Sequence, residues 1–240
     1  MGSPPAGILF DFGFTLLHEG AFDHASAVRR VLGLARSARG VTVEALCAEI
    51  EALEGDLRAR REASLLELSP FWVQRLVLEP NGLRFDAPRQ EVERAFWEAG
   101  ARMTPTPGVR ETVARLHARG LPMGVVSNAM FTSDTLAWQL AASGLGSFFR
   151  FVASSADYAV RKPHPAIFRA AAAKLGLPPE AVWFVGDSLA CDVAGANAAG
   201  MTSVWYAPEP AATDDACGAT PHLRIRDWKE LEIAIQATAG

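Results

Sequence analysis

The sequence predicts an α/β protein, in which a doubly wound, Rossmann-like parallel sheet is interrupted by an inserted helical domain. Short apolar runs of the kind found in strands buried on both faces alternate with amphipathic segments over residues 106–240. A similar apolar run, residues 8–10, stands alone near the beginning of the chain. The residues between these parts have helical spacing, so we predict a core formed by residues 1–16 and 106–240 and an insertion over 17–105.

The insertion is predicted to consist of helices. They span residues 25–34, 43–57, 70–78 and 88–101. Thr42 is positioned as the N-cap of the second helix, because a threonine hydroxyl can accept from the first free amides. Pro70 opens the third helix, since proline is favoured in a first turn, and the turn residues that end at Gly82 terminate it.

Strands and helices are predicted to alternate in the core. The strands span residues 8–10, 122–126, 151–153, 181–185, 202–206 and 223–225. The helices span residues 109–119, 134–143, 165–175 and 189–199, and a last helix follows Asp227. Such alternation implies parallel strands joined by helical crossovers, so the carboxyl ends of the strands face one crevice.

Composition and charge exclude several classes of partner. The chain of 240 residues is 50% hydrophobic and 21% charged, as expected for a globular protein. A net charge of −4 and a pI near 5.8 argue against nucleic-acid binding and against binding to anionic membranes. No apolar run approaches the roughly 20 residues of a membrane helix, and no signal-like segment opens the chain. Cys47, Cys191 and Cys217 fit reduced thiols, so we expect a cytoplasmic protein.

Polar side chains follow four of the predicted strands. They belong to Asp11, Thr15, Ser127, Asn128, Lys162, Asp187 and Asp192. Asp11 follows the first strand directly, Lys162 lies in the loop after the third, and Asp187 follows the fourth. Because the carboxyl ends of parallel strands meet at one edge of the sheet, we expect these groups to converge there.

Together these residue types suit phosphoryl transfer. Asp11 can serve as a carboxylate nucleophile or as a metal ligand. Ser127 can donate a hydrogen bond to a phosphate oxygen, and Lys162 supplies positive charge. The carboxylates of Asp11, Asp187 and Asp192 are hard oxygen ligands of the kind that Mg²⁺ prefers. The pattern therefore predicts a small phosphorylated substrate and Mg²⁺ as the cofactor.

The sequence resembles the haloacid dehalogenase superfamily of hydrolases, most of which are phosphatases. The four motifs of that family are present as Asp11-Phe12-Gly13-Phe14-Thr15, Ser127-Asn128, Arg161-Lys162-Pro163 and Gly186-Asp187-Ser188 with Asp192. The resemblance covers the predicted core, and it implies that the inserted helices form a cap that closes over the site and sets substrate choice. We expect a monomer or a homodimer.

The resemblance implies roles for the residues around the phosphoryl group. Asp11 would attack phosphorus and form an aspartyl-phosphate. Ser127 and Lys162 would hold the phosphoryl group, assisted by the backbone amide of Asn128. Thr15 would steady the loop that contains the nucleophile.

The resemblance also implies a metal site. Asp11, the backbone carbonyl of Gly13 and Asp187 would bind Mg²⁺. Asp192 would act as a ligand through a water molecule or would orient the other groups. All of these residues are present in the chain, so the resemblance predicts that metal binding is retained.

One position departs from the pattern of the phosphatases, which have a second aspartate two residues after the nucleophile. That aspartate protonates the leaving group and later activates water, but here the position is Gly13. Loss of an acid/base group typically lowers turnover roughly 10²–10⁴-fold, so binding should survive better than turnover. Four residues just past the motif are candidates to replace it: His18, Glu19, Asp23 and His24.

Three functions therefore remain open at the level of the sequence. The first is a Mg²⁺-dependent phosphatase that takes its acid/base group from elsewhere or acts on a phosphate with a good leaving group. The second is carbon-centred hydrolysis, as in the dehalogenase and phosphonate-cleaving branches; the insertion lacks the lysine that phosphonate cleavage uses, and the retained Asp187 argues for phosphate. The third is a weakly active or non-catalytic relative with a binding or regulatory role.

Overall fold

The computed structural model describes residues 3–38, 40–208 and 218–238 of the chain. The strands in these ranges are β1 (Gly7–Phe10), β2 (Leu17–Glu19), β3 (Met103–Pro105), β4 (Met123–Ser127), β5 (Val152–Ser154), β6 (Val182–Gly186), β7 (Thr202–Tyr206) and β8 (Leu223–Ile225). The helices are α1 (His24–Leu32), α2 (Val43–Ser64), α3 (Arg89–Gly100), α4 (Val109–Ala118), α5 (Ser133–Ala142), α6 (Ser155–Tyr158), α7 (Pro165–Leu175), α8 (Ala194–Ala199) and α9 (Trp228–Ala237). Cys217 lies outside the described residues.

Six strands form one parallel sheet in the order β5-β4-β1-β6-β7-β8. β1 lies inside it, where Phe10 is paired with Val125 of β4 and with Val185 of β6. Both faces of β1 are buried, since Phe10 belongs to one hydrophobic cluster and Leu9 to the other. The predicted doubly wound sheet is confirmed, and its carboxyl edge is the place where such sheets bind ligands.

Helices cover both faces of this sheet. On one face, α4, α5 and α9 contribute Val113, Leu136 and Leu231 to the cluster that contains Phe10. On the other face, α7 and α8 contribute Ile167 and Ala196. The periodic apolar residues of the helices thus bury the two faces of the strands, which is the layer arrangement that the alternating sequence predicted.

The inserted helices pack around a hydrophobic cluster of their own. Val28 of α1, Ile50 of α2 and Phe96 of α3 are buried in this cluster. A short antiparallel ribbon of β2 and β3 joins the insertion to the core. The predicted helical cap domain is confirmed, and the ribbon supports our proposal that its limits are residues 17–105.

Several details differ from the elements that the sequence predicts. The second helix continues to Ser64, seven residues beyond the predicted end at residue 57. The helix predicted over 189–199 begins as a π-helical turn at Leu189–Val193. The ribbon of β2 and β3 was not predicted, because three residues are too few to show strand alternation. None of the described helices is long and apolar enough to cross a membrane.

Candidate active site

The chain reverses direction immediately after β1. The amide of Asp11 donates to the carbonyl of Val185 in β6 at 2.9 Å, which holds the strand end against its neighbour. The amide of Leu17 then donates to the carbonyl of Phe12 at 3.0 Å, closing a tight turn. Phe14 lies at the tip of this turn with a left-handed φ of 54°. The reversal leads the chain into β2 and brings β2 back beside the strand end.

Four charged side chains meet at the carboxyl edge of the sheet. The ammonium nitrogen of Lys162 donates to Oδ1 of Asp11 at 2.5 Å and to Oδ1 of Asp192 at 2.6 Å. One oxygen from each of Asp11, Asp187 and Asp192 lies within 4.8 Å of the others. Lys162, Asp11 and Asp192 are buried, with 3%, 7% and 2% of their surface exposed. We refer to Asp11, Lys162, Asp187 and Asp192 as the acidic floor.

Local contacts at the end of β6 explain why position 186 is a glycine and how the backbone of Asp187 and Ser188 is held. A Cβ atom at Gly186 would lie 2.6 Å from the Cβ of Asp192, so any side chain there would displace the Asp192 carboxylate. The second oxygen of that carboxylate accepts a hydrogen bond from the amide of Ser188 at 3.0 Å. The indole nitrogen of Trp205 in β7 donates to the carbonyl of Asp187 at 2.8 Å. Both oxygens of Asp192 are thus engaged, which favours the orienting role for it.

Thr15 and Asn128 hold the loops that surround the floor. The Thr15 hydroxyl donates to Oδ1 of Asp187 at 3.3 Å, and the backbone carbonyl of Thr15 accepts from the Thr106 hydroxyl at 2.8 Å. The side chain of Asn128 bonds both backbone groups of Lys162, accepting from the amide at 2.8 Å and donating to the carbonyl at 2.9 Å. The sequence suggested a role only for the backbone of Asn128, so this side-chain function is a finding of the structure.

The acidic floor contains three carboxylates and one ammonium. Burial alone lowers the pKa of Lys162, but the charges of Asp11 and Asp192 outweigh it and raise that pKa above its usual range. Burial raises the pKa of Asp187, and the negative charges of Asp11 and Asp192 raise it further. Burial also raises the pKa of Asp192, against the effect of the Lys162 ammonium. A divalent cation would relieve this repulsion, so the donor set fits a hard metal ion.

A cavity of about 240 Å³ opens between the core and the inserted helices. From the core, Phe12, Ser127 and Asn128 line it, and Ser127 lies at the end of β4, which pairs with β1. From the insertion and its connection to the core, the lining residues include Glu19, Phe22, His24, Arg61, Trp72 and Phe96, which we refer to as the cap wall. The four residues of the acidic floor do not themselves line this cavity. It borders the floor through Phe12, which follows Asp11, and through Asn128, whose side chain bonds the backbone of Lys162.

His18 and Glu19, two of the candidates for the missing acid/base group, lie on opposite sides of β2. Successive residues of a strand point to opposite sides, and in β2 His18 is exposed and lies edge-on to the Phe14 ring, with 5.7 Å between ring centroids. Glu19 instead lines the cavity. Burial raises the pKa of Glu19, and the negative charge of Asp11 raises it further. The site thus includes Glu19, whereas His18 lies outside the cavity lining.

One residue of this region was missed by reasoning from the sequence. Glu67 is buried and accepts hydrogen bonds from Arg61 at 2.7 Å, from Arg161 at 2.5 Å and from Ser155 at 2.7 Å. Arg161 precedes Lys162, so Glu67 ties the inserted helices directly to the loop of the floor lysine. The available signal was a single acid within the apolar run Leu65-Leu66-Glu67-Leu68, since a buried carboxylate requires partners.

Comparisons of the sequence with known proteins identify one family. A family model described as haloacid dehalogenase-like hydrolase matches residues 5–200. The phosphoserine phosphatase of Thermus thermophilus is 31% identical over 145 residues, which are 60% of this chain and 57% of that protein. The chain thus spans little more than half of that relative's length. The phosphoglycolate phosphatase of Yersinia pseudotuberculosis is 29% identical over 214 residues, covering 86% of this chain and 85% of that enzyme.

The chain is also similar to solved structures, and in the following example the similarity extends over the whole chain. The 2-haloacid dehalogenase from Pseudomonas syringae pv. Tomato DC3000 has 25% identity and a TM-score of 0.60, with 100% of both chains covered. The sequence relatives are named phosphatases, whereas this structural neighbour is named a dehalogenase. The fold therefore does not decide between chemistry at phosphorus and chemistry at carbon, and the decision depends on the residues of the site.

Proposed function

Because this chain belongs to the haloacid dehalogenase-like hydrolases, we propose that it is a phosphatase that hydrolyses a small phosphate monoester with Mg²⁺ as its cofactor. Membership of the family confirms the resemblance that the four motifs indicated. The phosphatase names of the sequence relatives support the reaction class for this chain. The substrate is proposed only as a class, since a cavity of about 240 Å³ admits many small phosphate esters.

The observation that supports this proposal most directly is the composition of the acidic floor. A carbon-centred displacement needs a nucleophilic carboxylate and a base that activates water on the ester intermediate, but it does not need a set of carboxylates that binds a cation. Here Asp187 and Asp192 stand beside Asp11 with one oxygen of each within 4.8 Å. Such a cluster is costly to bury unless a cation binds to it, and Mg²⁺ suits both its oxygens and the oxygens of a phosphate. The extra acids therefore favour phosphate chemistry.

In the proposed reaction, the ammonium of Lys162 holds Oδ1 of Asp11 and leaves Oδ2 to attack phosphorus. A bond forms between Oδ2 and phosphorus while the bond to the leaving oxygen breaks, giving an aspartyl-phosphate and an alkoxide, which becomes an alcohol when an acid gives it a proton. Water then attacks this phosphorus, which releases inorganic phosphate and restores Asp11. The hydroxyl of Ser127 and the charge of Lys162 stabilise the phosphoryl oxygens during both steps.

Asp11, Asp187 and the backbone carbonyl of Gly13 are the proposed ligands of Mg²⁺. When bound there, the ion supplies positive charge that offsets the negative charge of the phosphoryl group. Asp192 orients the site through its hydrogen bonds to Lys162 and to the amide of Ser188. Thr15 holds the Asp187 carboxylate in place through its hydroxyl.

The proposal is tested with a panel of aryl phosphates, sugar phosphates, phosphoglycolate, phosphoserine and 2-haloacids, each assayed with Mg²⁺ and with a chelator. We expect Mg²⁺-dependent release of inorganic phosphate. The Asp11→Asn variant should lose it, because an amide oxygen is a poor nucleophile. Asp86→Asn is the matched control, since Asp86 is exposed on the insertion. Halide release without metal would instead support dehalogenation. Absence of activity on every substrate, together with Mg²⁺ binding, would support a non-catalytic relative.

A further inference from the structure

The position of Glu19 provides a proton donor and acceptor for the reaction proposed above. An alcohol leaves phosphorus readily only if its oxygen receives a proton, and the later attack by water requires a base. Asp187 and Asp192 belong to the floor with Lys162, and Asp11 is the nucleophile. In the part of the chain that the structure describes, Glu19 has no ion-pair or hydrogen-bond partner for its carboxylate, although it is largely buried.

The space beside Gly13 is occupied by Glu19. A Cβ atom built on Gly13 would lie 2.8 Å from the carboxyl carbon of Glu19 and would overlap its oxygen. Gly13 is not among the residues with a positive φ, so its backbone does not require glycine. The Glu19 carboxylate thus lies in the space that a side chain at position 13 would enter, and it would have to move to admit one.

The alternatives in the same region are engaged elsewhere or point away. Asp23 caps α1 by accepting from the amide of Ser26 at 2.9 Å. His24 faces Glu54 at 3.8 Å on the cap wall. His18 lies on the outer side of β2, against the ring of Phe14. Among the residues that the structure describes, only Glu19 combines a cavity-facing carboxylate with contact to the loop of the nucleophile.

We propose that Glu19 is the catalytic acid and base of this enzyme, reaching from β2 into the space left by Gly13. This inference rests on the proposed phosphatase function. In the first step the protonated Glu19 gives its proton to the leaving oxygen as the bond from that oxygen to phosphorus breaks. In the second step the Glu19 carboxylate takes a proton from the water that attacks the aspartyl-phosphate. Inorganic phosphate is released, and Asp11 and protonated Glu19 are restored.

The first experiment compares two substrates with the Glu19→Gln variant, which keeps the size of the side chain and removes its acid. With an alkyl phosphate, whose leaving group needs a proton, we expect the rate of the first step to fall roughly 10²–10⁴-fold. With 2,4-dinitrophenyl phosphate, whose leaving group needs none, that step should fall far less. The aspartyl-phosphate should then accumulate on Asp11 and be detectable by mass spectrometry, because the second step lacks its base.

The second experiment moves the carboxylate from one position to the other. Gly13→Asp alone should give a smaller gain than the same substitution without the Glu19 carboxylate, because Glu19 has to move to make room for it. In the double variant Gly13→Asp/Glu19→Ala, the new aspartate has room, and we expect it to recover a large part of the activity that Glu19→Ala loses. His18→Asn and Glu98→Gln are the controls, since both side chains are exposed, and they should retain wild-type rates.

These results distinguish failure of this inference from failure of the proposed function. If the wild type is an active phosphatase that depends on Asp11, and Glu19→Gln keeps full activity on the alkyl phosphate, Glu19 is not the acid. Equal losses on both substrates without accumulated aspartyl-phosphate would also overturn the inference, because they indicate a structural role. Absence of Asp11-dependent phosphatase activity in the wild type would refute the function itself.

Discussion

The acidic floor and the cap wall are neighbouring regions of the site but are constructed differently. On the floor, charged side chains at the ends of neighbouring strands bind each other, as in the contacts of Lys162 with Asp11 and Asp192 at 2.5 and 2.6 Å. On the cap wall, aromatic side chains pack against one another, and Phe22 and Phe96 have ring centroids 5.5 Å apart. Electrostatic contacts therefore define the floor, whereas nonpolar packing defines most of the wall.

This difference predicts how the two regions respond to substitution. A buried ion pair fails when one partner is removed, because the remaining charge is left without compensation. A nonpolar wall loses packing energy in proportion to the removed surface and can still enclose a substrate. The wall also contains Glu19, His24 and Arg61, and Glu19 is the acidic residue among those that define it.

The largest effect is expected from removing the only cation of the floor. Lys162→Met keeps much of the side-chain volume but leaves the buried carboxylates of Asp11 and Asp192 unpaired, which should cost about 3–5 kcal/mol in the free energy of unfolding. Activity should fall roughly 10²–10³-fold, because a group that stabilises the transition state is lost. Urea unfolding and phosphatase assays measure the two effects. Lys229→Met is the control, since Lys229 is exposed; equal stability of both variants would contradict the account of the floor.

An intermediate effect is expected where the floor leaves no room for a side chain. Gly186→Ala places a Cβ atom 2.6 Å from the Cβ of Asp192, and such overpacking should cost about 1–3 kcal/mol. The matched control is Gly55→Ala in α2, where the added Cβ meets no described atom within 4 Å. That control should gain about 0.5–1 kcal/mol, because glycine is unfavourable in a helix. Thermal unfolding with the same sign for both variants would show that the contact with Asp192 is unimportant.

The smallest effect concerns the packing of the insertion against the core and depends on pH. Glu93 of α3 is buried and accepts hydrogen bonds from the hydroxyls of Thr132 and Thr135 at 2.5 and 2.6 Å. Burial raises the pKa of Glu93, although these hydrogen bonds oppose the shift and the nearby Asp157 adds to it. Between the ordinary pKa and the raised value, the folded protein keeps a proton that the unfolded chain releases. The free energy of unfolding therefore falls as the pH rises through this interval.

Glu93→Gln should remove this contribution, which amounts to about 1.4 kcal/mol for each unit of pKa shift. Urea unfolding of the wild type and the variant between pH 4 and 8 measures the difference in slope. Glu91→Gln, on the exposed side of the same helix, is the control and should retain the wild-type slope. Parallel pH dependence in the wild type and Glu93→Gln would show that Glu93 does not titrate in this interval.

Much of the core could be predicted from the sequence, because its signals are local. The apolar run that ends at Asp11 and the glycines that follow the helices indicated the alternating elements. The insertion was also recognisable from its helical spacing. The short ribbon of β2 and β3 was not, since it pairs Leu17 with Pro105 and neither segment is long enough to show a pattern.

The residues of the site also differ in whether the sequence could predict their positions. Residues at the ends of parallel strands converge wherever the sheet forms, so the positions of Asp11, Lys162 and Asp187 followed from their order in the chain. Their chemical roles remain proposals. The contacts of Glu67 and the side chain of Asn128 could not be foreseen, because each joins segments that are distant in the sequence and meet only after the insertion has packed.

The sequence by itself determined the family, the sheet and the set of acids at its carboxyl edge, because strand ends and motif order are properties of the chain. It also showed that Gly13 lacks the expected carboxylate, but it offered His18, Glu19, Asp23 and His24 as replacements. Only the tertiary structure distinguishes the positions of His18 and Glu19: the reversal after β1 and the alternation of β2 turn Glu19 toward the cavity and His18 outward. Shifting the register of a strand by one residue turns its side chains to the opposite faces. The register of β2 depends on its pairing with β3, which is distant in the sequence.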